Sequence, residues 1–317
     1  MNDGSHFTAD LRCWVLLVGA LVLLAALAAR PGPSAFAQGV ETSLKGRKDL
    51  LFAETFETTD WFKRWGLKTV PQNLQLVAEK AADGKPNAVA KILFKKGDNW
   101  GSGWSWNVEA PVDEAYLRYY VKWDAGFDFD RGGKTPGLMG WAPGKQAGWG
   151  GRPVHGDDGF SCRVCWGRRG SLVMYTYHAD MKDQYGDGFP TSIDGRRESL
   201  QAGKWYCFEL HMKLNTPGAK AGEKGANDGL LELWVDGALV GRKDGLRFRD
   251  LPTMKIDNLF INAYFGGTWT SPKDQYIYYD NIILATKPIG PLGAKSAEEK
   301  PEGDRKSGGK FTPPPGY

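Results

Sequence analysis

Histidine and cysteine are scarce in this chain, four of each in 317 residues. The histidines are scattered, and no His/Asp/Glu cluster has the spacing of a metal site, so no metal ligands are assigned and no cofactor is required. Carboxylates in loops such as Gly156-Asp157-Asp158-Gly159 leave only a structural calcium ion open. Cys13 falls in an apolar N-terminal run, which leaves Cys162, Cys165 and Cys207, an odd set that permits one disulfide at most. Cys162-x-x-Cys165 has no second pair to complete a zinc site. Buried strand cysteines are the expectation, with a bridge to Cys207 left open. The Gly-x4-Gly-Lys-Ser/Thr spacing of a phosphate loop is missing. So are a repeat of solenoid length and, beyond the N-terminal run, any long stretch of 3.6-residue periodicity. Charge of one sign is lacking too: 41 Lys and Arg stand against 37 Asp and Glu, a formal net charge of +4. Arg168-Arg169 marks a turn rather than a basic stripe, so no nucleic-acid partner is expected.

A single long apolar run extends from Cys13 to about Ala29, after Leu11-Arg12. Pro31-Gly32-Pro33 breaks it, and Ala35-Phe36-Ala37 supplies a small-x-small cleavage pattern before Gln38. Charge, apolar core and cleavage pattern read as a secretory signal over residues 1–37. The alternative is a retained anchor, for which the run is short against the ~20 residues of a membrane span. The expectation is a secreted or periplasmic protein with no stable membrane insertion after cleavage. From about Lys287 the chain is rich in Pro, Gly, Lys and Glu and almost free of large apolar residues. Residues 287–317 therefore read as a disordered tail, and residues 38–286 as one domain.

What is present between these ends is strand pattern. Leu51–Phe56, Ala88–Phe94, Tyr116–Trp123, Trp205–Leu214, Leu230–Val235, Ile256–Phe265 and Tyr276–Leu284 carry short β-type runs bounded by Gly, Pro, Asn and Asp. Asp236-Gly237 between apolar residues signals a tight hairpin. Many short strands without helices define an all-β fold, a β-jelly roll or concanavalin-like sandwich of two antiparallel sheets.

One hairpin carries chemistry. Phe160–Trp166 and Ser171–Tyr177 flank Gly167-Arg168-Arg169-Gly170. A three-residue loop at Arg168-Arg169-Gly170 pairs Gly167 with Ser171, because such loops favour Gly in the left-handed position. Counting outward sets Arg163 opposite Tyr175 and Ser161 opposite Tyr177. Alternation then puts these four side chains on one face, and Cys162, Val164, Met174 and Thr176 on the core face. On pattern alone the first face reads equally well as a solvated surface, and a one-residue slip would undo it. Upstream, Gly132-Gly133-Lys134-Thr135-Pro136-Gly137-Leu138 reads as a loop that could hold a lysine over a cleft, although on pattern alone an ordinary surface lysine is the better reading.

Gly132–Leu138 resembles the Gly-Gly-Lys-Leu-Pro-Gly-Leu motif of polysaccharide lyase family 14, shared in looser form with glucuronan lyases. Ser161-x-Arg163 and Tyr175-x-Tyr177 resemble the same family's paired strands. Later blocks match in order: Trp205-Tyr206 to Gly218, Leu233–Gly237, Phe265-Gly266-Gly267 and Tyr278–Asn281. The resemblance covers roughly Phe52 to Leu284. It implies a jelly roll with its cleft on the concave face. It also implies a catalytic set of Lys134, Arg163, Tyr175 and Tyr177, with Ser161 in substrate binding. The departures are Thr135, where Leu is usual, and a long Gly- and Trp-rich insert from Trp141 to His155. His155 in that insert is a further substrate-binding candidate. His178 should face away from Tyr177, and His211 lies mid-strand; both read as structural.

The implied activity is β-elimination on an acidic polysaccharide, a polyuronate such as alginate or glucuronan. Cations at the uronate carboxylate stabilise the enolate-like state, while a base takes the C5 proton and an acid protonates the leaving oxygen. A tyrosine, ordinarily titrating near ~10, becomes a usable base if a neighbouring cation favours its phenolate. Tyr175 is the expected base, with Tyr177 positioning substrate or sharing the role. The alternative is a non-catalytic carbohydrate-binding jelly roll. A glycoside hydrolase would need paired carboxylates, and the strands around Glu209, Glu232 and Asp236 carry no Glu-x-Asp-x-x-Glu pattern.

Overall fold

The computed structural model describes residues 44–80, 86–196, 200–220 and 222–292. The expected signal, residues 1–37, and the tail from residue 293 lie outside the described residues. In chain order the strands are β1 (Leu50–Glu54), β2 (Leu74–Lys80), β3 (Pro86–Phe94), β4 (Trp100–Val112), β5 (Glu114–Trp123), β6 (Gly133–Trp141) and β7 (Gly159–Trp166). They continue as β8 (Leu172–Tyr177), β9 (Asp187–Pro190), β10 (Trp205–Lys213), β11 (Gly229–Val235), β12 (Ala238–Leu246), β13 (Ile256–Phe265) and β14 (Gln275–Ala285). One sheet has the order β12-β11-β10-β5-β14-β3-β2, with β1 also paired to β14. The other has the order β4-β13-β6-β7-β8-β9. Every pairing is antiparallel, so the fold is the jelly-roll sandwich expected from strand pattern.

The core forms where the inner faces meet. Leu117, Tyr119, Val121 and Trp123 of β5 face Cys162, Val164 and Trp166 of β7, with the Trp123 and Trp166 rings 5.7 Å apart. Each such apolar side chain contributes about 1.5–3 kcal/mol on burial. The Asp236-Gly237 turn has φ of 51° and 84°, the left-handed pair a two-residue hairpin requires.

Two expectations change. The Gly132–Leu138 segment is not a loop: residues 133–141 form β6, a central strand of the second sheet. Local propensity argues against a strand here, and packing overrides it. A Cβ at Gly133 would stand 2.0 Å from the Trp166 ring, so a larger residue has no space. Pro136 falls at a bulge, where Thr135-Pro136 faces the single residue Val164, a position where a proline's missing donor is tolerated. The second change concerns the tail, whose first residues are docked rather than loose. The N–H groups of Ile289 and Gly290 donate to the Glu209 carboxylate at 2.9 and 2.7 Å, and Leu292 N–H donates to the Tyr120 hydroxyl at 2.8 Å. Ile289 and Leu292 pack on Ile283.

The three described cysteines are buried free thiols. Cys162 faces the core, where its sulfur accepts the Thr176 hydroxyl at 3.3 Å. Cys165 has the opposite parity on the same strand, and Cys207 lies on the other sheet. No bridge to Cys207 forms, because the residues stand on different layers.

Candidate active site

The second sheet's outer face carries a cleft of ≈ 510 Å³. The hairpin register sets its centre: Arg163 pairs with Tyr175 and Ser161 with Tyr177, and Gly167 N–H donates to the Ser171 carbonyl at 2.8 Å. Lys134 pairs with Cys165 on one side and Tyr264 on the other. Lys134 and Gly137 are an odd number of residues apart, so strict alternation would send Lys134 into the core. The extra residue at the Thr135-Pro136 bulge restores it to the Arg163 face.

Thr135 is accommodated rather than disruptive. Its buried hydroxyl donates to the Val164 carbonyl at 2.7 Å and lies 2.7 Å from the Tyr119 hydroxyl on the opposite sheet. The bulge that aims Lys134 is thus tied to both neighbouring layers. Gly137 is equally constrained. A Cβ there would stand 2.7 Å from both Arg163 Cβ and the Phe260 ring. With no side chain in between, the Arg163 guanidinium lies across β6, 4.4 Å from the Phe260 ring centre.

Electrostatics set this cleft apart. Lys134 and Arg163 line it, and no Asp or Glu does among the described residues. Arg163 is only 5% exposed, and its Nε has no hydrogen-bond partner. Burial pulls the titration of both cations downward, and for Lys134 the Arg163 charge adds to that pull. The Lys134 ammonium sits 5.0 Å from the Tyr264 ring centre and 5.7 Å from that of Tyr175. Buried charges are ordinarily paired, so this site is built for an anion that comes from outside.

The phenol oxygens of Tyr175 and Tyr177 are 3.4 Å apart, and each receives a backbone donor: Gly186 N–H to Tyr175 and Gly151 N–H to Tyr177, both at 3.1 Å. Burial pushes the Tyr175 phenol well above its ordinary range, and the Tyr177 hydroxyl adds to the rise. The shift runs opposite to the one that proximity to two cations alone would give, because burial dominates it.

Ser161 is 1% exposed and its hydroxyl donates to the Gly148 carbonyl at 2.5 Å. It anchors the insert rather than lining the cleft. The insert forms a wall instead: Gly150 and Gly151, with φ of 58° and 74°, make a tight turn that presents Trp149 beside Trp141 and Gln146. His155 does not line the cleft. Its imidazole is 75% exposed and contacts the Asp158 carboxylate at 3.1 Å. That carboxylate also accepts the N–H groups of His155 and Gly159. His178 pairs with Asp187 at 2.8 Å, and His211 stands on the other sheet between Glu114 and Glu232 at 2.7 and 3.0 Å. Sequence reasoning passed over Asn258, Phe260, Asn262 and Tyr264, which form the cleft side of β13. Their every-second-residue spacing was the available signal.

A jelly roll whose second sheet gathers two tyrosines and, among the described residues, two cations without a carboxylate partner has the features of a lyase acting on polysaccharides. The profile of the family described as Polysaccharide lyase 14 matches residues 91–282, more than half of the chain, and the protein belongs to that family. Among solved structures, the alginate lyase vAL-1 from Chlorella virus is 25% identical, with a TM-score of 0.55 over 69% of this chain and 91% of that one. A double mutant of alginate lyase Aly36B, in complex with alginate trisaccharide, is 27% identical over 63% of this chain and 82% of its own, with a TM-score of 0.53. The PL-14 alginate lyase from Aplysia kurodai shares the fold at 20% identity, with a TM-score of 0.60 over 75% and 99% of the two chains. No curated protein matches the chain. The family makes the protein a polysaccharide lyase, which sets aside the non-catalytic reading.

Proposed function

We propose that the protein is an exported lyase that cleaves a polyuronate, alginate or a glucuronan-like polymer, by β-elimination. The carrying observation is a buried Arg163 guanidinium and a neighbouring Lys134 in a cleft that no carboxylate lines among the described residues. A uronate carboxylate supplies the missing counter-charge. The alginate lyases among the structural neighbours, one bound to alginate trisaccharide, support this class of substrate. The Ala35-Phe36-Ala37 pattern after an apolar run supports export.

In the proposed reaction, Arg163 and Lys134 hold the C6 carboxylate and stabilise the charge that develops as C5 loses its proton. Tyr175 takes that proton. The C5–H electron pair becomes the C4=C5 double bond, the C4–O4 bond breaks, and O4 leaves with a proton delivered through the Tyr175–Tyr177 pair. No metal or cofactor is needed in this scheme. The test follows ultraviolet absorbance of the unsaturated uronate, using protein from Gln38 and separate polymannuronate, polyguluronate and glucuronan. A rise on one polymer that is lost in Lys134→Ala and Tyr175→Phe is expected. Full activity in Tyr175→Phe refutes the assignment, and silence on every polyuronate refutes the substrate class.

A further inference from the structure

Beside the cleft, at the N-terminal end of β6, lies a hollow of ≈ 420 Å³ lined by residues that include Asp128, Asp130, Arg131, Thr268 and Trp269. Trp269 is 45% exposed, whereas Trp61, Trp65, Trp104, Trp123 and Trp166 are buried in the core. Its indole has a defined backing. The ring lies against the backbone at Gly132 and Gly266, whose Cβ positions fall 3.5 and 3.9 Å from it, at van der Waals contact. The equivalent Cβ on Gly133 would instead strike Trp166 in the core. Gly132 therefore points to the cleft face, the face of Lys134, two residues or ~7 Å further along the strand. Backbone pairing of Gly266 N–H to the Gly132 carbonyl at 2.9 Å fixes the turn that carries Trp269. The Tyr264 hydroxyl, beside Lys134, donates to Gly267 in the same turn at 2.7 Å.

Arg131 stands 5.7 Å from the indole centre. Its Nε lies 3.5 Å from the Asp130 carboxylate, which also takes Arg168 at 3.4 Å. The Arg131 side chain is half exposed, and its Asp130 partner is shared with Arg168, so its guanidinium can also meet a carboxylate that arrives from solvent. An exposed aromatic plane with flanking hydroxyl and carboxylate acceptors suits a sugar ring, and the Arg131 guanidinium beside it suits one that bears an acid group. The apolar face of the ring covers the indole, the carboxylate takes Arg131, and sugar hydroxyls reach Asp128 and Thr268.

We infer that the Trp269–Arg131 hollow is a second uronate subsite of the same polymer, outside the residues that flank the scissile bond. This inference rests on the polyuronate lyase reading and extends it to chain-length selectivity. The test uses size-defined oligouronates of whichever polymer the wild type cleaves, with kcat and KM measured against length. Trp269→Ala and Arg131→Ala should lose activity progressively with length. For the longest oligomers the loss is about five- to tenfold, carried by KM with kcat little changed, and Trp269→Phe should recover most of it. Calorimetric binding of the same oligomers to Tyr175→Phe, with and without Trp269→Ala, should show the same dependence on length. An equal loss at every length, or none at any length, overturns the subsite while leaving the lyase reading intact. A wild type that neither cleaves nor binds any polyuronate overturns both.

Discussion

Replacing Arg163 by Met separates stability from catalysis. Arg163 is 5% exposed, has no carboxylate partner among the described residues, and rests against Phe260. An unpaired buried cation carries an effective desolvation cost of several kcal/mol, and replacing buried ionic groups by apolar ones of similar volume gains about 1–4 kcal/mol. The cation–π contact with Phe260 offsets about 0.5–2 kcal/mol of that cost. Met keeps the unbranched stem and its packing across Gly137. The net expectation is a gain of about 1–2 kcal/mol. For a domain of this size that is about 2–8 °C in Tm, at about 2–4 °C per kcal/mol. The same change removes the fixed charge opposite the uronate carboxylate, and kcat should fall about 10²–10³-fold. Differential scanning calorimetry and the unsaturated-product assay read the two effects on one preparation. A Tm that drops by several degrees would mean the guanidinium is a structural group with a partner. Unchanged turnover would mean the carboxylate is held elsewhere. Either result refutes the reasoning.

The pH profile follows from opposite displacements of two groups. Tyr175 is raised by burial and Lys134 is lowered by burial and by Arg163, so the productive pair, phenolate with ammonium, is a minority form. Below the Lys134 titration, log kcat/KM should rise by one per pH unit as phenolate accumulates. Above it the profile should flatten, because each gain in phenolate is matched by loss of ammonium. Lys134→Arg should carry the rising limb to higher pH, since guanidinium stays charged; a break unmoved in that variant would exclude Lys134 as the group responsible. Thr135→Val should cost about 1–3 kcal/mol in urea unfolding, because it strands the buried Tyr119 hydroxyl. Adding Tyr119→Phe should recover part of the loss, and strict additivity of the two changes would show the hydroxyls are independent.

The geometry of the candidate site was partly legible because a hairpin turns local sequence into register. Gly170, with φ of 75°, set the loop, the loop set the register, and the register put Ser161, Arg163, Tyr175 and Tyr177 on one parity. The Gly-rich β6 was not legible, because its glycines answer to Trp166, Phe260 and Arg163, residues distant in sequence. Burial was also hidden. Alternation assigns a face but not what covers it, so Ser161 proved to be an anchor under Gly148 rather than a ligand to substrate. His155 failed as a candidate for a related reason: a Gly-rich loop constrains where the chain goes too weakly to aim one side chain.

The direction of the Tyr175 shift ties these points together. Reading charges from sequence counts neighbours, and two cations beside a phenol predict a lowered titration. The fold adds what neighbours cannot: the same packing that gathers Lys134, Arg163 and Tyr175 also removes water from them, and removal of water disfavours charge on all three. An entering carboxylate reverses this for the two cations, since it supplies their missing partner. It has no such effect on the phenol. On the proposed mechanism, substrate binding therefore stabilises the charged Lys134 and Arg163 while Tyr175 remains a reluctant acid, a strong base once ionised. Proton removal from C5 should then limit turnover, and substrate deuterated at C5 should show a primary isotope effect on kcat. An effect of one would place the slow step elsewhere, at C4–O4 cleavage or product release, and refute the expectation.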